Sequence, residues 1–296
     1  MFASFLTTVF FSLSVIFAAR SARVLGGGHA NLARLLLATL LLAGWAHFFG
    51  SGLRGPSLPW FLLSGVIGFG LGDLALFAAL PRIGPRLSIL LTQCLAAPIA
   101  TFTEWSWLET KLRSVELLCA ATILAGVALA LAPDRGLKVR RSVFWAGILF
   151  GVFSALGQAM GAVTSRKANE VAALAGLEID GGTAAYQRIL GGALIAALAV
   201  FLFRRPEELA AGERKERWRR GWPLVVANAL AGPAIGVACY QWALKTTPSG
   251  IVLPIVATSP LVTLMLAWWI DREHPTVRAI VGGAMAVAGA ATLAAL

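Results

Sequence analysis

Few side chains in this 296-residue sequence could do chemistry, and the most informative of them stand inside apolar runs. Asp73 sits in the run 58–80 and Arg34 opens the run 31–50. A carboxylate in hydrocarbon is costly, so one that persists there is a candidate for holding a proton, gating or contacting a solute. At 1.5 Å per helical residue, Asp73 lies about 10 Å from the end of its run, and Arg34 differs from it in depth by only about 5 Å, so the two can pair. Arg188 opens the run 183–203, near the end of another that closes with Tyr240, Gln241 and Trp242. Its planar fork suits a carboxylate or a phosphate. Gln93, Gln158 and Asn228 add neutral amides in three further runs, where such groups either bind a polar solute or hold helices together. Bland alternatives stand beside these: a static Arg34–Asp73 pair, and an Arg188 whose head reaches back to the membrane surface.

The elements that position these residues follow from composition. Apolar residues make up 58% of the chain and charged ones 13%, about half the charged share of an ordinary soluble domain. That excludes a typical water-soluble enzyme. Runs long enough to cross a bilayer, about 20 residues each, fall near 2–19, 31–50, 58–80, 83–103, 114–132, 142–165, 183–203, 222–244, 248–270 and 276–296. The expected fold is an all-α polytopic membrane protein with ten transmembrane helices. The run 2–19 lacks a basic leader and reads as a retained helix, not a signal peptide. The tightest divisions lie after Leu80, at Pro81, Gly84 and Pro85, and around Thr246-Thr247-Pro248; each could hide a re-entrant turn.

Lys and Arg exceed Asp and Glu by 25 to 14. In a soluble protein that excess would suggest nucleic acid, but confined to the loops of a membrane protein it reports insertion and lipid contact. Eighteen of the cations fall on the face joining spans 1–2, 3–4, 5–6, 7–8 and 9–10, and seven on the other. The positive-inside rule then puts the first face in the cytoplasm and both termini outside. The stretch from Arg204 to Arg220 is either a basic amphipathic segment on anionic lipid or a solvated linker. Cys94, Cys119 and Cys239 lie in apolar runs without a C-x-x-C pair, and His29, His47 and His274 are scattered, so neither a metal site nor a cofactor is expected. With no phosphate-binding loop of the Gly-x-x-x-x-Gly-Lys-Ser/Thr type, ATP does not drive a cycle directly.

The sequence also repeats weakly at half its length. Arg34 and Arg188 each open the second helix of a half, and Ala79-Leu80 followed by Pro98, Glu109 and Gly126 parallels Ala243-Leu244 followed by Pro260, Glu273 and Gly289. Five spans per half, an odd number, force the second copy to enter the membrane inverted, an arrangement typical of secondary transporters. The halves are expected at 1–135 and 136–296. At the position of Asp73 the second half carries Val237, so Arg188 lacks the acidic partner available to Arg34. Pro98 and Pro260 are expected to break their helices and free carbonyls.

On Ala79-Leu-Pro-Arg-Ile-Gly-Pro-Arg-Leu-Ser-Ile-Leu-Leu with Pro98, Glu109 and Gly126, and on the matching stretch from Ala243 to Gly289, the chain resembles the drug/metabolite transporter superfamily, in particular its ten-helix EamA-like branch. The resemblance implies a secondary transporter in a bacterial inner membrane, moving a small polar metabolite such as an amino acid outward. Only Tyr186 and Tyr240 occur, which weighs against an aromatic amino acid. A passive channel is the alternative function. Gly70-Leu-Gly-Asp73 also matches the Gly-x-Gly-Asp pattern of intramembrane aspartyl proteases, but that chemistry needs two aspartates sharing a proton, and Asp134, Asp180 and Asp271 lie in loops or at span ends. No enzyme activity is expected. The patterns Gly68-x-x-x-Gly72, Gly147-x-x-x-Gly151 and Gly157-x-x-x-Gly161 allow close helix approach within a monomer or across a homodimer. Tryptophans near span ends, such as Trp105, Trp107, Trp222, Trp268 and Trp269, fit interfacial anchoring.

Overall fold

The computed structural model describes residues 1–131, 140–202, 211–262 and 276–296, and every regular element among them is helical. Among the described residues eight helices are long and apolar enough to cross a membrane, and two shorter apolar ones, Ser249–Val262 and Val277–Leu293, stand where spans nine and ten are expected. The expected cytoplasmic arginines 204 and 205, and residues 134, 135, 138, 268, 269 and 271–274, lie outside the described residues.

Helix α1 (Phe2–Leu25) passes directly into α2 (Gly27–Phe48). Gly26 alone makes the turn, at φ 80°, a conformation in which L side chains are strained. Arg20 and Arg23 therefore ride on a helix that extends beyond the expected 2–19, not in a loop. Helix α3 (Leu58–Gly65) continues through a π-helical segment, Val66–Gly72, into α4 (Asp73–Leu108). A straight helix would put Ser64 and Glu104 about 60 Å apart. Yet Ser64 lies 2.8 Å from Ser165, while Glu104 lies 2.8 Å from Arg166 of the same helix, α6 (Arg141–Leu174). The helical backbone must double back, and the two apolar stretches Leu58–Ile83 and Leu87–Leu108 are the antiparallel third and fourth spans. The turn falls at the expected proline and glycine cluster.

Helix α5 (Ser114–Leu131) pairs with the last helix, α11 (Val277–Ala295). Helix α7 (Gly181–Leu202) lies along α2 and α3. Helix α8 (Ala211–Ala229) runs through a second π-helical segment, Leu230–Gly236, into α9 (Val237–Thr246). Its first turns carry Arg214, Lys215, Arg217, Arg219 and Arg220, so the described part of the basic stretch is a helical extension of span eight. Glu216 binds Arg219 and Arg220, both at 2.8 Å, and Arg217 donates to the carbonyl of Val24 at 2.6 Å.

The two π segments correspond. Each has seven residues, each ends directly before the Asp73 or Val237 position, and their glycines share places: Gly68 with Gly232, Gly72 with Gly236. Such segments insert a residue into the helical ladder and recur at functional sites. In the second, Pro233 withdraws a backbone donor, which favours the irregularity.

Span nine breaks as expected near Pro260. Helix α10 (Ser249–Val256) ends four residues before it, where the proline ring would clash with the preceding carbonyl. The exposed carbonyls find partners: that of Ile255 accepts from Thr8 and Thr258, and that of Val256 from Ser259. Pro98 differs, because the helix runs through it unbroken. Its equivalence with Pro260 in sequence does not extend to a break in the helix.

Packing relies on small residues, because lipid provides no hydrophobic force to join apolar helices. Ala96, Ala97, Ala100, Ala155, Ala159, Ala162 and Ala243 form the centre of one cluster with Tyr240 and Leu244. The glycine patterns mate within the chain: a Cβ on Gly157 would stand 2.5 Å from Gly72 Cα, and one on Gly161 3.1 Å from Gly68 Cα. Gly147 and Gly151 receive Ile83 and Leu91 in the same way. Large side chains such as Leu40, Phe48, Phe102, Leu118 and Phe201 face outward, as lipid contact requires.

Candidate functional site

Arg188 is positioned by α7. The start of that helix is capped by Asp180, whose Oδ1 accepts the amides of Gly182 at 2.9 Å and Thr183 at 3.0 Å, and the indole of Trp45 at 2.9 Å. Partial burial raises the Asp180 carboxyl, but hydrogen bonds from Thr183, Trp45 and the two amides outweigh it and hold the group below the usual carboxylate range. Two turns on, Gly191 lies against the carbonyl of Leu62 and Gly192 against Phe69, while Gly65 lies against the carbonyl of Arg188. These close approaches seat α7 on the first π segment and draw Arg188 into the bundle.

The Arg188 side chain stays there. The residue is 5% exposed, its guanidinium carbon lies 4.9 Å from the ring centre of Phe69 and 5.5 Å from that of Tyr240. A Cβ on Gly68 would come within 2.6 Å of its Nη2. Arg188 Nε has no hydrogen-bond partner, nor has the Tyr240 hydroxyl. Extension to the membrane surface, the simpler expectation, is thereby excluded: the glycines of the π segment and α6 open a slot where Arg188 can lie, and two aromatic faces attract its charge.

Asp73 follows the π segment directly, and its Oδ2 lies 3.6 Å from Arg34 Nη2. Arg34 Nε also donates to Asn31 at 2.8 Å. Asp73 Oδ2 makes no hydrogen bond. Arg34 and Asp73 thus pair inside the bundle at the end of the first π segment, and Arg188 lies buried against Gly68 of the same segment.

The amides divide. Gln158 donates to Gln93 at 2.7 Å, joining α6 to α4. Asn228 accepts from Ser14 at 2.7 Å, joining α8 to α1, and stands apart from that pair. Gln241 is buried with neither amide atom partnered. Pro98 lines a lateral recess of about 600 Å³ between α4, α5 and α10, with Thr101, Trp105, Gly250 and Pro254.

Glu104 and Arg166 escape a reading by hydropathy. Glu104 is buried; it binds Arg166 Nε at 2.8 Å and accepts from both the amide and the hydroxyl of Ser249. Arg166 also donates to the carbonyl of Leu244 at 2.8 Å. The cluster ties α4, α6, α9 and α10 together beneath an open recess of about 610 Å³ lined by Arg166, Asn169, Glu170, Glu178 and Lys245. By sequence Glu104 falls just past the run 83–103 and Arg166 just past 142–165, so both read as loop charges. The continuation of α6 to Leu174 carries Arg166 inward, and only the full helix length would have revealed it. Among the described residues no group of three or more His, Cys, Asp or Glu could hold a metal.

Apolar helices packed through small residues, with paired charges turned inward, define a multi-pass membrane protein with a polar interior. The sequence profile of the EamA-like transporter family matches residues 1–132 and 145–295, so the chain belongs to that family, within the drug/metabolite transporter superfamily. That family is one of transporters. No curated protein matches. A solved crystal structure of a protein is similar over 99% of this chain and 96% of that one, with TM-score 0.75 and 20% identity, a likeness that speaks to the fold.

Proposed function

We propose that the protein is a secondary transporter of a small polar metabolite, amino-acid-like in size. Its halves, 1–135 and 136–296, are inverted repeats that alternately open a central site toward either face. The observation that carries this reading is the placing of three ions along the first π segment within the bundle, the Arg34–Asp73 pair at its end and the buried Arg188 against Gly68. Ions so placed are costly unless they serve a pathway. Tyr240 and Gln241 join the site as hydrogen-bonding groups, with Gln93 and Gln158 toward α4 and α6 and Asn228 toward α1. Pro98 and Pro260 flank it, Pro260 beside the break that gives span nine a hinge.

We place the protein in a bacterial inner membrane with both termini outside. The cation asymmetry, eighteen against seven, supports this. The helical basic extension at 211–220 suits contact with anionic lipid. The outward direction of transport rests on the family resemblance. Intrachain use of the glycine patterns is consistent with a functional monomer.

Flux measurements in proteoliposomes test the reading. A carrier gives uptake that saturates and is stimulated by solute on the opposite side. A channel, the alternative, gives unitary conductance steps and no such stimulation.

A further inference from the structure

The inverted halves treat their equivalent arginines differently. Arg34 lies 3.6 Å from Asp73; the second half has Val237 where the first has Asp73, and among the described residues no acid lies within ion-pair distance of Arg188. Its Nε is buried and unpartnered. An ion of this kind left without an anion in a low-dielectric interior is strongly unfavourable, and two aromatic faces compensate only part of that.

We propose that Arg188 is the binding subsite for the carboxylate of the transported solute, which supplies in the second half the anion that Asp73 supplies in the first. This rests on the transport reading above and names its substrate class. The charge count selects the ligand: with Asp73 ionised, Arg34, Asp73 and Arg188 sum to one net positive charge, which one carboxylate neutralises and a phosphate dianion would overshoot. The guanidinium fork fits the two carboxylate oxygens. Its ring partners constrain it: Phe69 and Tyr240 hold the plane, and the unpartnered Tyr240 hydroxyl is a further donor at the same place. Because Arg188 is 5% exposed here, the solute reaches it only after the bundle opens toward one face. Binding then restores a fully paired interior, which favours reclosure around the loaded site.

The test uses purified full-length protein and a library of small monocarboxylates, each paired with its primary amide, plus inorganic phosphate. Apparent melting temperature reports binding. At least one carboxylate should raise it, its amide should not, Arg188→Gln should abolish the shift, and Arg188→Lys should weaken the affinity at least tenfold. Should Arg188→Gln fail to fold, Tyr240→Phe replaces it, with a severalfold loss for the acid. The subsite is overturned if no carboxylate shifts wild type, if acid and amide shift it equally, if phosphate alone shifts it, or if the shift survives Arg188→Gln. Flux of the same ligand in proteoliposomes separates the two levels. A bound carboxylate that is never moved contradicts the transport reading and leaves the subsite standing; a neutral solute carried equally by wild type and Arg188→Gln does the reverse.

Discussion

Arg34 Nη2 and Asp73 Oδ2 lie 3.6 Å apart, and no hydrogen bond completes the contact at that oxygen. A pair so loosely joined can separate without breaking a hydrogen-bond network, unlike the tight Glu104–Arg166 contact. If Asp73 couples transport to protons, Asp73→Asn should retain solute exchange and lose accumulation driven by a pH gradient, because an amide cannot cycle between charged and neutral forms. Undiminished pH-driven uptake by the variant would remove Asp73 from the coupling. Loss of folded protein, rescued by adding Arg34→Gln, would assign the pair a purely structural role.

The Glu104 cluster should behave as structure first. Glu104→Gln leaves Arg166 bonded to a carbonyl but without its counter-ion, a change that in comparable buried pairs costs about 3 kcal/mol. Lys167 and Glu170 also pair, at 3.1 Å, but in the open. Glu170→Gln should cost less than about 0.5 kcal/mol. Comparing the two by unfolding in mixed micelles checks the contrast, and equal effects would show that the burial of Glu104 carries no weight.

Helix contact at Gly157 gives a second stability prediction. An added Cβ would stand 2.5 Å from Gly72 Cα, a backbone atom that cannot move aside cheaply. Gly157→Ala should therefore destabilise the protein by about 1–3 kcal/mol. Gly44, also in a helix, has nothing within 4 Å of the same construction, so Gly44→Ala should be neutral or slightly stabilising. Thermal unfolding of both variants decides, and a harmless Gly157→Ala would mean that the α6 contact with the first π segment is looser than described.

Asp180 links stability to pH. Its folded value is depressed, so its contribution is fully present above the unfolded value of about 3.9 and is lost as pH falls through the lower folded one. Between pH 6 and 3 the wild type should lose more stability than Asp180→Asn. Parallel curves would mean that the capping bonds to Gly182, Thr183 and Trp45 do not depend on its charge.

Much of this architecture is legible in the sequence because a bilayer forces each span to declare itself as an apolar run. Depth along a helix was enough to bring Arg34 to Asp73. The direction of Arg188 was not legible: it depends on Gly65, Gly68, Gly191 and Gly192 letting two helices close on each other, a tertiary effect. The π segments left a faint trace, the shared spacing of Gly68 and Gly72 with Gly232 and Gly236, but glycine spacing alone cannot distinguish a widened turn from a packing face. Glu104 and Arg166 stayed hidden because each falls just past the end of its apolar run, whereas the helices run on.

Whether the two faces open in turn around one interior site can be read at Val237, buried in span eight and the second half's counterpart of Asp73. A single cysteine placed there by Val237→Cys, with Cys94, Cys119 and Cys239 replaced by alanine, can be probed with a membrane-impermeant thiol reagent added to either face of oriented proteoliposomes. A transported solute should change reactivity from the two faces in opposite senses. Simultaneous reactivity from both faces, unaffected by solute, would reveal a continuous pore and contradict that expectation.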